Sequence, residues 1–305
     1  MPTQLSRRTG LAALAVLTLV PIGGCATADE ARPAASQSTT AAPASADREF
    51  KELEGEFDAR LGVYAIDTGS DRTLSYQEDE RFAYCSTHKS LSVGAVLEQN
   101  SLKEMEKLIT YTEEDLVAYS PITEKHVDEG MTLRAVSDAA VRYSDNTAAN
   151  LLFEELGGTN GFGDALKGIG DDVTDVSRIE PDLSEGTPGD VRDTSTPQQM
   201  ATDLREYTLG DTLSTKKRAI LTDLLVRNTT GDELIRAGVP DGWKVGDKTG
   251  SGGYGTRNDI AVIWPPEDDP IVLAIMSSRD TKDAESDDKL IAESAEVAID
   301  ALTGK

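Results

Sequence analysis

The chain has 305 residues, enough for one large domain or two intertwined ones with a substantial core, and carries 30 Lys plus Arg against 55 Asp plus Glu, a formal net charge of −25. So acidic a surface repels nucleic acid and anionic lipid headgroups and favours solubility, which excludes a polyanion-binding role. His88 and His126 are the only histidines and neither lies in a ligand cluster, which disfavours a zinc hydrolase, because such a site needs about three protein ligands, usually including histidines.

Ser6-Arg7-Arg8-Thr9-Gly10-Leu11 opens a stretch from Leu11 to Val20 that is apolar apart from Thr18. A charged segment followed by a short apolar one is the pattern of a secretory signal, and the paired arginines suit twin-arginine export. A membrane span would need about 20 apolar residues, and this run is shorter. The leader ends Pro21-Ile22-Gly23-Gly24-Cys25, which resembles a bacterial lipobox with Cys25 as the lipidated first residue of the mature protein. Ordinary cleavage nearby, releasing a soluble secreted product, is the alternative. Residues 1–24 are thus expected to be a signal. Residues 25–46, rich in Ala, Ser, Thr and Pro, read as a disordered tether. Cys25 and Cys85 are the only cysteines. A disulfide between them is formally possible after export, but with Cys25 lipidated Cys85 stays free and buried.

In the remaining 47–305, Phe50, Leu53 and Phe57 recur at helical spacing and predict an amphipathic helix over 47–60. Strands at 61–67 and 72–76 bracket a turn at Thr68-Gly69-Ser70-Asp71, a hairpin. Helices follow at 86–99, 132–143, 146–156, 160–168, 197–208 and 214–227. The helix from Pro197 opens with Thr196 as cap and proline at the first position. Strands return at 243–248, 256–264 and 271–277 before a last helix over 285–302. Strands at both ends with helices between imply an α/β (α+β) fold in which the termini make one sheet, 47–80 with 228–305, and 81–227 forms an all-helical lobe. Pockets tend to lie between lobes. The acidic runs Asp79-Glu80, Glu113-Glu114-Asp115 and Glu267-Asp268-Asp269 read as solvated charge.

Within this frame, Ser86-Thr87-His88-Lys89 places Ser86 and Lys89 at i and i+3, neighbours on one helical face. A serine hydroxyl needs an adjacent base, which lysine becomes when burial or other cations lower its pKa. A helix N-terminus would favour the oxyanion formed on attack at a carbonyl. Ser-x-x-Lys recurs at Ser214/Lys217 and Ser286/Lys289, where it reads as solvated helix surface. The first copy differs in being followed by Ser144-Asp145-Asn146 and Lys248-Thr249-Gly250, each present once.

This ordered set resembles the class A serine β-lactamases, over roughly Phe50 to the C-terminus. The resemblance implies an antiparallel sheet of about five strands covered by the terminal helices, and a cofactor-free, monomeric hydrolase of β-lactam antibiotics. It makes Ser86 the acylated nucleophile and Lys89 its neighbouring amine. Backbone N–H groups of Ser86 and Ser251 form the oxyanion hole, and Ser144 relays a proton to the lactam nitrogen. Asn146 binds the substrate amide and Asp145 is structural. Lys248, with Thr249 and Gly250, sits by the substrate carboxylate. Arg257 falls where many members carry an arginine gripping that carboxylate; a plain surface arginine is the alternative. Tyr119 matches an aromatic wall at the cleft mouth, against a core tyrosine as alternative. An acidic enzyme acting on anionic substrates needs local cations, since repulsion is screened beyond about 8–10 Å; Lys89, Lys248 and Arg257 are the candidates.

Arg178-Ile179-Glu180-Pro181-Asp182-Leu183-Ser184, continuing to Asp193, is a long interhelical loop, a kind that is usually functional or disordered. It resembles the family's Ω-loop, with Glu180 as general base for deacylation, Pro181 permitting a cis peptide, and Arg178 and Asp193 as the ion pair at its neck. Two positions depart from the family pattern. Ser184 stands where asparagine often holds the hydrolytic water, and His88 replaces a commonly apolar residue, so a packing role is expected for it. The runner-up is a penicillin-binding D,D-carboxypeptidase, which shares the three motifs but usually lacks the Glu180 loop. A non-catalytic β-lactam-binding lipoprotein is the third reading.

Overall fold

Strict alternation of side chains on the last two strands decides the layering. Ile260, Val262, Val272, Ala274 and Met276 join one buried cluster while Ala261, Ile263, Ile271, Leu273 and Ile275 join the other, as a period of two requires when both sheet faces are covered. The structure, a computed structural model, describes residues 44–304; the expected signal and nearly all of the expected tether, including Cys25, lie outside the described residues.

The elements run α1 (Ala44–Phe57), β1 (Arg60–Asp67), β2 (Arg72–Tyr76), β3 (Phe82–Ala83), α2 (His88–Gln99), β4 (Leu108–Ile109), β5 (Met131–Thr132), α3 (Leu133–Arg142), α4 (Asn146–Leu156) and α5 (Gly158–Gly168). There follow β6 (Thr194–Ser195), α6 (Pro197–Leu209), α7 (Thr215–Val226), β7 (Lys244–Ser251), β8 (Arg257–Trp264), β9 (Ile271–Ser278) and α8 (Asp288–Thr303). The main sheet has five antiparallel strands in the order β2-β1-β9-β8-β7. Chain-distant β1 and β9 are central neighbours, paired from Arg60↔Ser278 to Asp67↔Ile271. β3 pairs with β6, and β4 with β5.

α1 and α8 cover one face through Phe50, Leu53, Leu290, Ile291, Ala295 and Ile299. Against the other face lies α6, which the sequence reading assigned to the helical lobe but which packs on β1, β8 and β9 as well as on α2 and α7. Thr196 caps α6 through its side chain, accepting from Gln199 N, with Pro197 in the first turn. α2 is buried from His88 through Leu97, the mark of a helix surrounded on all sides. Residue boundaries moved by up to three positions. Two of the differences touch the motifs: Ser86 lies in a 3-10 turn (Cys85–Thr87) preceding α2, and β7 runs through the Lys-Thr-Gly segment to Ser251.

One buried feature links the loop entry to α6. Asp171 and Asp203 are both buried, and the Oδ2 atom of each has no donor among the described residues. Burial, reinforced by the Asp171 charge, pushes the Asp203 carboxyl up to about 9. Asp203 therefore holds its proton in the folded protein. Unfolded, Asp203 ionises above about 3.9; folded, it keeps its proton up to about 9, so stability is lost as pH rises through that window. Asp203→Asn retains an oxygen to accept from Gln199 Nε2, as Asp203 Oδ1 does now at 2.7 Å, and offers Asp171 an N–H. The variant is expected to unfold at higher temperature than wild type, by roughly 1–2 kcal/mol or several degrees, with a larger difference at pH 8 than at pH 5. Thermal melts showing no pH-dependent gap would refute the protonated Asp203.

Candidate active site

The turn at Cys85–Thr87 holds the nucleophile because two elements press on it. Cys85 has φ +47°, a left-handed conformation that is sparsely populated for non-glycine residues and tends to collect at functional sites. β7 crosses directly behind: a Cβ on Gly250 would stand 2.8 Å from the Tyr84 carbonyl and 3.3 Å from Thr87 N. Only glycine permits that approach. Ser86 and Ser251 consequently line one cleft of about 590 Å³, together with Tyr119, Ser144, Asn146, Glu180, Pro181, Ser184, Thr230, Thr249 and Arg257. A smaller cavity, about 340 Å³, lined by Asp67, Ser70, Asp268 and Asp269, contains none of the predicted residues.

Ser86 Oγ donates to Glu180 Oε1 at 3.4 Å. Lys89 Nζ stands 3.2 Å from the same oxygen and also donates to Ser144 O at 2.8 Å and Asn146 Oδ1 at 2.6 Å. Three acceptors suit three ammonium protons. Burial lowers the Lys89 pKa, while the Glu180 charge works in the opposite direction. The acceptor facing the Ser86 hydroxyl is Glu180, with the Lys89 ammonium on the same carboxylate oxygen.

Glu180 arrives from the long loop, nearly fully buried. Its backbone is clamped by one side chain, Asn150, which accepts from Glu180 N and donates to Glu180 O, both at 2.9 Å. Ser184 Oγ donates to Oε2 at 3.1 Å. The Glu180–Pro181 peptide is cis. At the loop's neck Arg178 Nε meets Asp193 Oδ2 at 2.5 Å, Asp193 being fully buried. Asp193 Oδ1 also accepts Ser177 N and Arg178 N.

Ser144, at φ +57°, ends the turn between α3 and α4 and receives Lys248 Nζ on Oγ at 3.1 Å. Asp145 caps α4 and accepts from Ile122 N, Thr123 N, Thr123 Oγ1 and Ala148 N, a structural role as expected. Burial first, then the Lys89 charge, brings the Lys248 ammonium down to about 7. Thr249 Oγ1 shares a 2.7 Å hydrogen bond with Thr230 Oγ1.

Two predicted substrate groups are already engaged. Asn146 gives Oδ1 to Lys89 and donates Nδ2 to Ala118 O at 2.9 Å. Arg257 lines the cleft, but its guanidinium makes a two-point pair with Asp288 at the start of α8, 2.6 and 3.1 Å. Tyr119 is 62% exposed at φ +61°, which rules out the core-tyrosine alternative. Cys85 is buried, its thiol pushed up to about 12 by burial and the Glu180 charge. Sequence reasoning missed Asn150, Thr230 and Asp288. Asn150 was within reach, being four residues from Asn146 on the same face of α4; the other two carry no local signal.

The Beta-lactamase enzyme family model matches residues 45–302. Over 255 residues the chain is 61% identical to a β-lactamase of Bacillus amyloliquefaciens, spanning 84% of this chain and 83% of that protein. With a β-lactamase of Bacillus licheniformis it shares 52% over 293 residues, 95% and 94% of the two chains. Among solved structures, that of a halotolerant bacterial β-lactamase superposes at TM-score 0.83 with 61% identity, covering 84% of this chain and 98% of that one. The class A β-lactamase from Clostridium kluyveri does so at TM-score 0.83 with 51% identity, covering 84% and 98%.

Proposed function

Because the chain belongs to the class A serine β-lactamases, hydrolases that open β-lactam antibiotics and so confer resistance, we propose that it works through a Ser86 acyl-enzyme cleared by water that Glu180 activates. The observation carrying this reading is the 3.4 Å approach of Ser86 Oγ to Glu180 Oε1, both buried at one end of the cleft. In acylation Ser86 Oγ attacks the lactam carbonyl and its proton passes to Glu180. The C–N bond breaks and the ring nitrogen takes a proton from Ser144. The proton held by Glu180 passes through Lys89, which is bonded to Glu180 and lies against Ser144, to the Ser144 side chain, so that Glu180 is ionised and Ser144 neutral again before deacylation. In deacylation a water loses a proton to Glu180 and attacks the ester, and Ser86 Oγ regains its proton. The net change is addition of one water across the amide.

With Arg257 engaged by Asp288, Lys248, which is buried behind the cleft wall and donates to Ser144 Oγ and Thr249 O, supplies the charge that meets the substrate carboxylate. Its lowered pKa makes a signed prediction: the free enzyme loses this charge as pH rises through about 7, whereas a bound carboxylate restores it. For a penicillin, KM is expected to rise and kcat/KM to fall through pH 7–8.5 while kcat stays nearly level. A KM flat to pH 9.5 would assign carboxylate binding elsewhere. In the same assay a chromogenic cephalosporin should turn over many times per Ser86; a stoichiometric burst alone would favour the D,D-carboxypeptidase reading.

We further infer an exported enzyme, tethered through a lipid on Cys25. The Arg7-Arg8 leader and the Cys25 junction support this. Mass spectrometry of the purified mature chain should find an acylated Cys25 at its N-terminus; an unmodified end would leave a secreted enzyme.

A further inference from the structure

His88 is the residue of the nucleophile segment that the reaction above leaves unused. Its ring lies in an aromatic pocket, with centroids 5.7 Å from Tyr84, 5.0 Å from Phe153 and 6.1 Å from Phe162. It is buried, and neither Nδ1 nor Nε2 has a hydrogen-bond partner among the described residues. Buried polar atoms without a partner are rare, and an aromatic hydrocarbon would fill this pocket without that penalty. Nε2, however, stands 4.0 Å from Glu180 Oε1.

The resting site explains why the contact is still open. Oε1 already receives Ser86 Oγ at 3.4 Å and Lys89 Nζ at 3.2 Å. Acylation converts Ser86 Oγ into an ester oxygen, which has no proton to give. Oε1 then loses a donor at the step in which it must stay fixed and ionised. We propose that His88 is a positioning residue for deacylation: its neutral Nε2–H closes on Glu180 Oε1 in the acyl-enzyme and replaces the hydrogen bond lost from Ser86. Closure needs about 1 Å, from 4.0 Å to the usual N–H···O distance of about 2.9 Å. The charged groups around the ring favour the required form. Burial and the nearby Lys89 and Lys248 charges oppose a second proton on His88, and Tyr84 OH, the neighbouring titratable group, is turned to Asp193. A neutral imidazole has one N–H to offer.

The proposal rests on Glu180 being the deacylation base, so the experiment includes that residue. His88→Phe preserves an aromatic ring and removes the donor; His88→Gln restores a donor near the Nε2 position. Expected for His88→Phe is an unchanged acylation rate and unfolding temperature, a deacylation rate down about tenfold, and adduct visible by mass spectrometry at steady state. The acid limb of kcat should also move to higher pH, since an anion losing a donor holds its proton more tightly. His88→Gln should recover most of both effects. Deacylation in His88→Phe equal to wild type, or losses in His88→Gln as large as in His88→Phe, would overturn the role of His88. Failure of Glu180→Ala to trap adduct would overturn the base assignment instead, so the two failures are distinguishable.

Discussion

Glu180→Ala is expected to leave Ser86 acylated and nearly unable to turn over, with deacylation slowed by about 10²–10⁴, the range for a lost general base. Acylation should persist, and the reason is electrostatic. The Glu180 charge is the main influence holding the proton on Lys89 against burial. Removing it raises the neutral fraction of the lysine, which then becomes a base for the Ser86 hydroxyl. No comparable replacement exists at the ester, because Lys89 stays tied to Ser144 O and Asn146 Oδ1. Quenched samples analysed by mass spectrometry should show a stoichiometric penicilloyl adduct lasting minutes or longer. A variant that is inactive yet unlabelled would mean that Glu180 is required for acylation as well, and a variant that turns over normally would remove it from the mechanism.

Asp193→Ala should be the most damaging substitution for stability among the loop residues. Asp193 is fully buried against Arg178, and breaking a buried pair by removing one partner typically costs about 3–5 kcal/mol because the remaining charge is uncompensated. Arg178 keeps a second carboxylate, Glu185 at 2.7 Å, which places the expectation near the lower end. For a domain of this size about 3 kcal/mol corresponds to a fall in Tm of roughly 6–12 °C. Ser177 N and Arg178 N lose their acceptor too, so the segment entering Glu180 loosens and kcat should drop with the deacylation step. A Tm within 2 °C of wild type would show that the pair contributes no more than an exposed one, about 0–1 kcal/mol.

How far the site was readable depends on where each signal lies along the chain. Ser86 with Lys89, Ser144 with Asn146, and Lys248 through Gly250 each occupy a few contiguous residues, and local spacing fixes which side chains are neighbours. Arg178, Glu180 and Asp193 were readable by resemblance to a loop pattern of similar compactness. Sheet strands were visible because an apolar run bounded by turn residues is a local property, whereas the two-residue strands β3 to β6 are too short to leave a pattern.

Local rules on their own thus supplied the leader and tether expectation, the strand and helix sequence and the acidic balance, while resemblance to a family's motifs supplied the candidate reacting side chains. Tertiary structure alone decided which charges are available. Asp288 comes from the far end of the chain to occupy Arg257, burial and the Asp171 charge keep the proton on Asp203, and His88 faces Glu180 across a pocket built by α2, α4 and α5. The physical reason is range: periodicity and capping act over a few residues of chain, but the pKa and pairing of a buried group depend on whatever packing brings within a few ångströms of it.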